Sequence, residues 1–336
     1  MRNALIRIDL WDVGQGDCST IVLPDGRLII IDVGPRGSPL VDWLNERRGA
    51  VPDIAAIILT HNDGDHAGAL SAIIREHKRR IGVFWMLMDR NPSNLVFQKI
   101  FRIAEEAAKE GCFEIKRVDE GQVLWTSEDG KTVLKIVHPN FIENVQAINS
   151  GKPNGSSGLI VLESNSNCLF AWPGDLELNK VAEKLQSTPP WGLFGPHHGG
   201  PSDYPTKAVR KKAGKAAGAL KQLVRCSVNL IKPQRSFISV GTKNPHNHPR
   251  PGYLKLLKQA GSRIVCSQLS RCCDRLHVLK KIPVFQGALA LGLRPCRTGV
   301  SCRGAMRFYL VDGELIPDEF DTMHQTRVRS LLRPQC

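Results

Sequence analysis

The sequence predicts an α/β (α+β) chain: two mixed β-sheets packed face to face, with helices outside. Three observations carry that reading. Strand-type and helix-type runs alternate throughout the 336 residues, and each half of the chain opens with strands. Several strand-type runs end in a polar residue beside glycine, where side chains converge and backbone can approach a ligand. A hydrophobic content of 42% is enough for one large domain with an extension, or for two domains.

Taken in order, residues 5–9 alternate apolar and polar, and Cys18–Leu23 and Arg27–Asp32 flank the turn Pro24-Asp25-Gly26, an opening set of antiparallel strands. Leu40–Arg48 has helical spacing and ends near Gly49, and Ile54–Leu59 reads as a buried strand. A polar loop follows, then a helix from about Gly68 to Lys78, a strand at Val83–Met88 and a helix over Leu95–Lys109 that stops at Gly111. Val133–His138, Leu159–Glu163 and Leu169–Trp172 read as strands, followed by a helix near Leu178–Gln186. Phe237–Val240 and Arg263–Val265 are strands around a helix at Gly252–Ala260. After about Cys266 the texture changes: cysteines concentrate, Arg307–Glu314 reads as a hairpin, and the polar end holds a short helix. The expected division is therefore residues 1–265, a catalytic domain, and 266–336, a Cys-rich extension that is small to stand alone without staples.

Net charge is +14, and from Tyr204 to Cys273 there are fifteen Lys and Arg residues with no Asp or Glu. Such a block commonly meets a polyanion, either nucleic acid or an anionic membrane surface; the competing reading is a solvated surface insertion. No aromatic residue lies between Lys207 and Arg225, so phosphate contact is expected there rather than base stacking. Lys207, Arg210, Lys211, Lys212, Lys215 and Lys243 are the candidate contacts. No apolar run approaches the ~18–20 residues that would span a bilayer, and the N-terminus lacks the apolar core of a signal peptide. The expectation is a soluble, cytoplasmic protein without membrane insertion. Its ten cysteines then read as thiols or metal ligands rather than a disulfide framework.

Chemistry concentrates at Thr60-His61-Asn62-Asp63-Gly64-Asp65-His66-Ala67-Gly68, directly after an apolar run. Imidazole and carboxylate at this density suit a hydrated divalent ion such as zinc or manganese. The competing reading is a polar turn with Asp65 as a helix N-cap. Four further blocks join it: Asp12-Val13-Gly14-Gln15-Gly16-Asp17, Ile31-Asp32-Val33-Gly34, Gly174-Asp175, and Pro196-His197-His198-Gly199.

In this series the chain resembles the metallo-β-lactamase superfamily and, within it, the hydrolase domain of ComEC-type competence proteins. The marker His-x-His-x-Asp-His appears with Asp at the third place, as His61, Asp63, Asp65 and His66, and Ser239–Pro249 resembles ComEC as well. The resemblance spans roughly residues 5 to 265. It implies an αββα sandwich with a two-metal site at one edge of the sheets. His61 and Asp63 would hold one ion. Asp65, His66 and His198 (rather than His197) would hold the second, with Asp175 bridging. Asp32 would orient the ligand loop by hydrogen bonding. Two departures stand out. Asp63 replaces a histidine, and the interval before Gly174 holds only His77, read as a surface residue of a helix, and His138, read equally well as a loop residue. The counterpart of the missing histidine is Asn154, a neutral oxygen ligand. The first ion site is thus oxygen-rich and would prefer manganese or magnesium over zinc.

Two such ions would activate a water for in-line attack on a phosphoryl group, with Asp65 steering the water. His248, ahead of His246, would protonate the leaving oxygen or grip a phosphate. Separately, Cys266, Cys272 (or Cys273), Cys296 and Cys302 form a candidate structural zinc site, set against ordinary buried thiols. The leading expectation is a metal-dependent phosphodiesterase acting on DNA or RNA. The alternatives are a hydrolase of a small ester, thioester, lactam or phosphoester, and a nucleic-acid-binding or partner-docking protein with a residual metal site.

Overall fold

The computed structural model of the chain describes residues 5–46, 53–87, 94–151, 153–185, 188–205, 214–270, 272–273, 291–293, 296 and 298–329. These residues group into two compact units, each built on one sheet. The first draws on Met1–Val118, Ser239–Pro245 and Cys266–Pro334, the second on Asp119–Ile238 and His246–Val265.

The first unit opens with β1 (Ile6–Leu10), β2 (Cys18–Val22) and β3 (Leu28–Val33), an antiparallel meander. From β3 the connections become right for parallel pairing. Helix α1 (Pro39–Glu46) leads to β4 (Ile54–Ile58), and helices α2 (Gly64–Ala67) and α3 (Leu70–His77) lead to β5 (Ile81–Met86). Helix α4 (Leu95–Lys109) then leads to β6 (Glu114–Arg117), and β3, β4, β5 and β6 pair in parallel. Strands covered by helices must be apolar along most of their length, which is why Leu28-Ile29-Ile30-Ile31 and Ile57-Ile58 read as unbroken runs. Leu40 and Leu44 of α1, Leu70, Ile73 and Ile74 of α3, and Ile100 and Ala104 of α4 close over Ile30, Ile57 and Phe84 in one core. Each fully buried Leu or Ile there contributes about 1.5–3 kcal/mol. The consequence for function is that β3, β4 and β5 all deliver their carboxyl ends, and the loops that follow, to one edge of the sheet.

The C-terminal residues complete this sheet. β14 (Met306–Val311) pairs antiparallel with β1, and β15 (Glu314–Pro317) with β14, giving the order β15-β14-β1-β2-β3-β4-β5-β6. Arg307 reaches the buried Asp9 with two hydrogen bonds of 2.6 and 3.1 Å, which fixes the register across that seam. The division expected at residue 265 cuts into the strand Arg263–Cys266, and Cys266–Pro334 groups with the first unit rather than standing apart from it. The expected short helix follows, Phe320–Arg329.

In the second unit β7 (Val123–Thr126), β8 (Thr132–His138), β9 (Leu159–Ser164) and β10 (Asn167–Trp172) are antiparallel. β11 (Gly192–Phe194) and β12 (Arg235–Ile238) then add in parallel, with β13 (Arg263–Cys266) at the edge. Helices occupy the connections: α5 (Phe141–Asn149), α6 (Leu178–Leu185), Pro196–Gly199 as α7, α8 (Gly214–Ile231) and α9 (Pro251–Gln259). The fold class is the predicted one, mixed α/β with two mixed sheets flanked by helices. The 18-residue α8 is a departure from the sequence reading, which saw only a basic insertion. Its apolar residues Val224, Val228 and Ile231 are buried on one face, while Lys221 and Arg225 are exposed.

Candidate metal centre

In the first unit the candidate ligands sit on the loop after β4. Leu59 N donates to Trp85 O and Asn62 Nδ2 donates to Leu87 O, so the loop is tied to the end of the neighbouring strand β5. Helix α2 then begins with Asp63 as its N-cap residue, not Asp65, and the Asp63 side chain makes no cap bond. That carboxylate is half exposed and lies 3.8 Å from His61 Nε2. Asp65 stands in the first turn of the helix.

Asp32 organises the loop from the end of β3. Its φ of 53° is left-handed, a conformation that costs a non-glycine residue about 1–3 kcal/mol. In that conformation it accepts from Thr60 N at 2.8 Å and from Thr60 Oγ1 at 2.7 Å, and its Oδ2 lies 2.8 Å from His66 Nδ1. His66 therefore carries its proton on Nδ1, which makes Nε2 the lone-pair nitrogen. Thr60 Oγ1, its proton directed at Asp32, faces His61 Nδ1 at 3.2 Å and assigns the same tautomer there. Both imidazoles thus offer Nε2. His61, Asp65 and His66 bring one ligand atom each to within 4.8 Å of one another, with both histidines buried.

No metal ion is part of the structure. The donor chemistry tests whether one fits, and it does: two oriented imidazoles and a carboxylate in a largely buried pocket are a divalent-ion donor set.

Asp17 is the residue that sequence reading passed over at this site. It is buried, its N–H donates to Asp65 O at 3.2 Å, and its carboxylate lies 4.0 Å from His66 Nδ1. The signal was present in Gly16-Asp17. Gly16 has φ +143° and a Cβ there would sit 2.3 Å from Asp65 O, so only glycine allows the approach.

The second unit gathers four more candidates. Asp175 follows β10, and His197 and His198 follow β11 with φ of 49° and 53°. Two consecutive left-handed non-glycine residues mark a conformation held by its surroundings. His197 N donates to Gly174 O at 3.1 Å, and Arg250 N donates to Gly199 O at 2.8 Å. His197 Nε2 lies 3.4 Å from the Asp175 carboxylate and His198 Nε2 lies 3.9 Å from it. His197 therefore sits as near Asp175 as the favoured His198 does. His248 joins them, its ring centroid 5.0 Å from that of His197 and 6.4 Å from that of His198. Gly200 makes this possible, because a Cβ there would meet the His248 ring at 2.5 Å. Burial, with the neighbouring His197 and His198, pushes His248 down to about 3. Its imidazole is neutral at pH 7, suited to gripping an oxygen through N–H rather than to delivering an imidazolium proton.

Other candidates lie elsewhere. Asn154 is in the short 3-10 turn Pro153–Ser156, whose Gly155 O lies 3.1 Å from His138 Nε2. His138 is fully buried with Nδ1 3.1 Å from Glu143, a structural histidine rather than a loop one. His77, expected at the surface, is buried at 2% exposure, with Nε2 2.9 Å from Asn45 Oδ1, because α3 turns that face toward α1. Lys243 is exposed and Lys215 lies within α8; Lys207, Arg210, Lys211 and Lys212 fall outside the described residues. Of the cysteines, Cys296 is 3.4 Å from Thr298 Oγ1, whereas the buried Cys302 is 3.2 Å from Nε2 of the buried His324, a partner not anticipated. Cys266 lies beside Cys302 along the backbone, through Arg303 N to Cys266 O at 3.1 Å. Cys272 is partly buried.

Residues 11–133, which run from the loop before β2 into β8 and include the His61–His66 loop, match the family model described as the metallo-beta-lactamase superfamily. That match covers 123 of the 336 residues, and together with the motif series and the donor set it is what makes the chain similar to that superfamily. Among curated proteins it is similar to ComE operon protein 3 of Bacillus subtilis (strain 168), 24% identical over 280 residues, covering 77% of this chain and 31% of that protein. The chain thus spans about a third of the length of that relative. Among solved structures it is similar to Igni18, a metallo hydrolase from Ignicoccus hospitalis KIN4/I, at 14% identity and TM-score 0.45, covering 77% of this chain and 94% of that one. It is also similar to the metallo-beta-lactamase fold protein YhfI from Bacillus subtilis, at 12% identity and TM-score 0.43, covering 77% and 96%. A third similar structure is a long form RNase Z from yeast, at 9% identity and TM-score 0.41, covering 79% and 41%. No helix of the described residues is long and apolar enough to cross a membrane.

Proposed function

We propose that this protein is a metal-dependent hydrolase, a phosphodiesterase whose substrate is nucleic acid. The observation that carries the metal part is the convergence of His61, Asp65 and His66, with both imidazoles oriented through Nδ1 so that Nε2 is offered. The substrate part rests on the acid-free segment Tyr204–Cys273, whose helix α8 exposes Lys221 and Arg225. His61, Asp63, Asp65 and His66 are the ligands proposed in the first unit, Asp175 and His198 those in the second, for two ions of zinc or manganese. Divalent ions bound there supply Lewis acidity and lower the pKa of coordinated water. Asp32 fixes His66, and Asp65 would hold a bound ion and orient the attacking water. Neutral His248 donates its N–H to a phosphoryl oxygen, with His197 beside it. Lys243 and the basic residues from Lys207 to Lys215 meet the phosphate backbone. Among the described residues Cys266, Cys272, Cys296 and Cys302 form no group of donors close enough to hold a metal ion, so a structural zinc there is not part of this reading.

The test is cleavage of labelled single- and double-stranded DNA and RNA by the purified protein with Mn²⁺, Mg²⁺ or Zn²⁺. Asp65→Ala and His66→Ala are expected to lower the rate by at least ~10²-fold, the scale on which essential catalytic groups act. Undiminished cleavage by both variants would refute the assignment. Turnover of small esters that ignores salt, with no nucleic acid cut, would move the substrate to the small-molecule class.

A further inference from the structure

The C-terminal region does more than complete a sheet. Gln268 is 1% exposed, and its side-chain amide uses every hydrogen-bonding site it has. Nε2 donates to Asp12 Oδ1 and to Thr298 O, each at 2.9 Å. Oε1 accepts from Thr242 N at 2.9 Å and from Thr242 Oγ1 at 3.2 Å. Three separate chain segments therefore meet on one amide: the Asp12–Asp17 loop, the Ser239–Pro245 loop, and the C-terminal residues 298–301. Ser301 Oγ donates to the other oxygen of Asp12 at 2.6 Å, and Val300 N donates to Thr242 Oγ1 at 2.8 Å. Gly299 permits the packing, since a Cβ at that position would stand 2.0 Å from Gln268 Oε1.

What this amide holds is the far end of the metal centre. Asp12 opens the loop that ends at Asp17, and within it Asp12 Oδ1 also accepts from Gly14 N at 3.3 Å. Ser239 Oγ donates to Gly16 O, and Gly241 N donates to Gln15 Oε1 at 3.3 Å. Gly16 is then pressed against Asp65 O, to which Asp17 N donates. The loop is thus gripped on one side by residues 239–241 and 268–301 and lies against the backbone of a proposed ligand on the other.

We propose that Gln268 is a positioning residue for the metal centre, through which the C-terminal segment clamps the Asp12–Asp17 loop against Asp65. This rests on the reading of His61, Asp65 and His66 as ligands. It assigns the Cys-rich extension a role in metal affinity that requires no metal of its own. A merely structural Gln268 would set stability without setting affinity.

Three readouts separate these roles in the full-length protein: Mn²⁺ and Zn²⁺ affinity by competition with a chromogenic chelator, thermal unfolding without metal, and hydrogen exchange at the Asp17 amide without metal. Gln268→Leu is expected to weaken metal affinity at least 10-fold and to speed exchange at Asp17 at least 10-fold. Ser301→Ala, which removes one bond to Asp12, is expected to act in the same direction by about 3-fold, and it serves if Gln268→Leu does not fold. Ile100→Val in α4, remote from the loop, supplies a core destabilisation that should leave affinity within 2-fold of wild type. If the folded Gln268 or Ser301 variant keeps wild-type affinity and wild-type exchange at Asp17, the positioning role is refuted. The same holds if affinity falls equally in Ile100→Val. If wild type and His66→Ala bind metal equally poorly, the ligand reading itself fails, a result distinguishable from the others because Asp17 exchange still reports on the clamp.

Discussion

Asp12 is fully buried, and its three hydrogen bonds come from a serine hydroxyl, a glutamine amide and a backbone N–H. Burial is the larger influence and holds its carboxyl up at about 6 against an ordinary value of 3.8. Between those two pH values the folded protein binds a proton that the unfolded chain has lost. Stability contributed by this group is therefore full at low pH and falls as pH rises through about 6. At 1.36 kcal/mol per pH unit the loss approaches roughly 3 kcal/mol. Asp12→Asn does not titrate, so the difference in unfolding free energy between wild type and variant, measured by urea titration, should shift against wild type by about that amount between pH 4 and pH 7. A difference that stays flat with pH would contradict the account.

Among the elements, the hairpin β14–β15 decides most. Without it β1 would be an open edge of the first sheet, presenting bare N–H and C=O groups. Asp9, at 0% exposure on β1, would then lose both its cover and the Arg307 guanidinium. Arg307→Ala leaves that carboxylate with only Arg7, 3.2 Å away. Removing one partner of such a buried pair costs roughly 3 kcal/mol, and urea unfolding should show it. On the adjoining segment, Asp318 accepts from Arg307 N at 2.9 Å and from Phe320 N at 2.9 Å, and it pairs with the buried Arg303. Sheet, hairpin and terminal helix are thus joined through charges that the surrounding core makes obligatory.

For the whole molecule, the net charge of +14 is concentrated rather than spread. Each phosphate neutralised on a DNA duplex contributes a slope of about −0.9 to log affinity against log salt. Replacing the exposed Lys221 and Arg225 of α8 with Gln should make the slope shallower by about 2 if both contact phosphate, with little preference for sequence. An unchanged slope, or no binding, would count against nucleic acid as what this helix meets.

The sequence by itself determined the fold class, nearly all of the first sheet and the position of the His61–His66 loop as the candidate metal site. Those features are written in periods of 2 and 3.6 residues and in glycine-flanked polar blocks, which are local properties. β6, β7 and α5 were not legible: the first two are short and partly exposed, without a clear apolar run, and α5 leaves Phe141 and Ile142 exposed. Helix α8 was hidden by its charge, because a lysine-rich run reads as a solvated face whichever conformation it takes. What only the tertiary structure decided is long-range. It brought Asp17 to Asp65, Asp32 to His66, His248 to Gly200, His324 to Cys302, and Gln268 to Asp12 across 256 residues. None of these meetings leaves a periodic trace, since each depends on which segments of one unit the folded chain brings side by side. The His61–His66 loop could be named from the sequence, but the protons that orient its imidazoles, and the C-terminal amide that secures its neighbour, are consequences of packing.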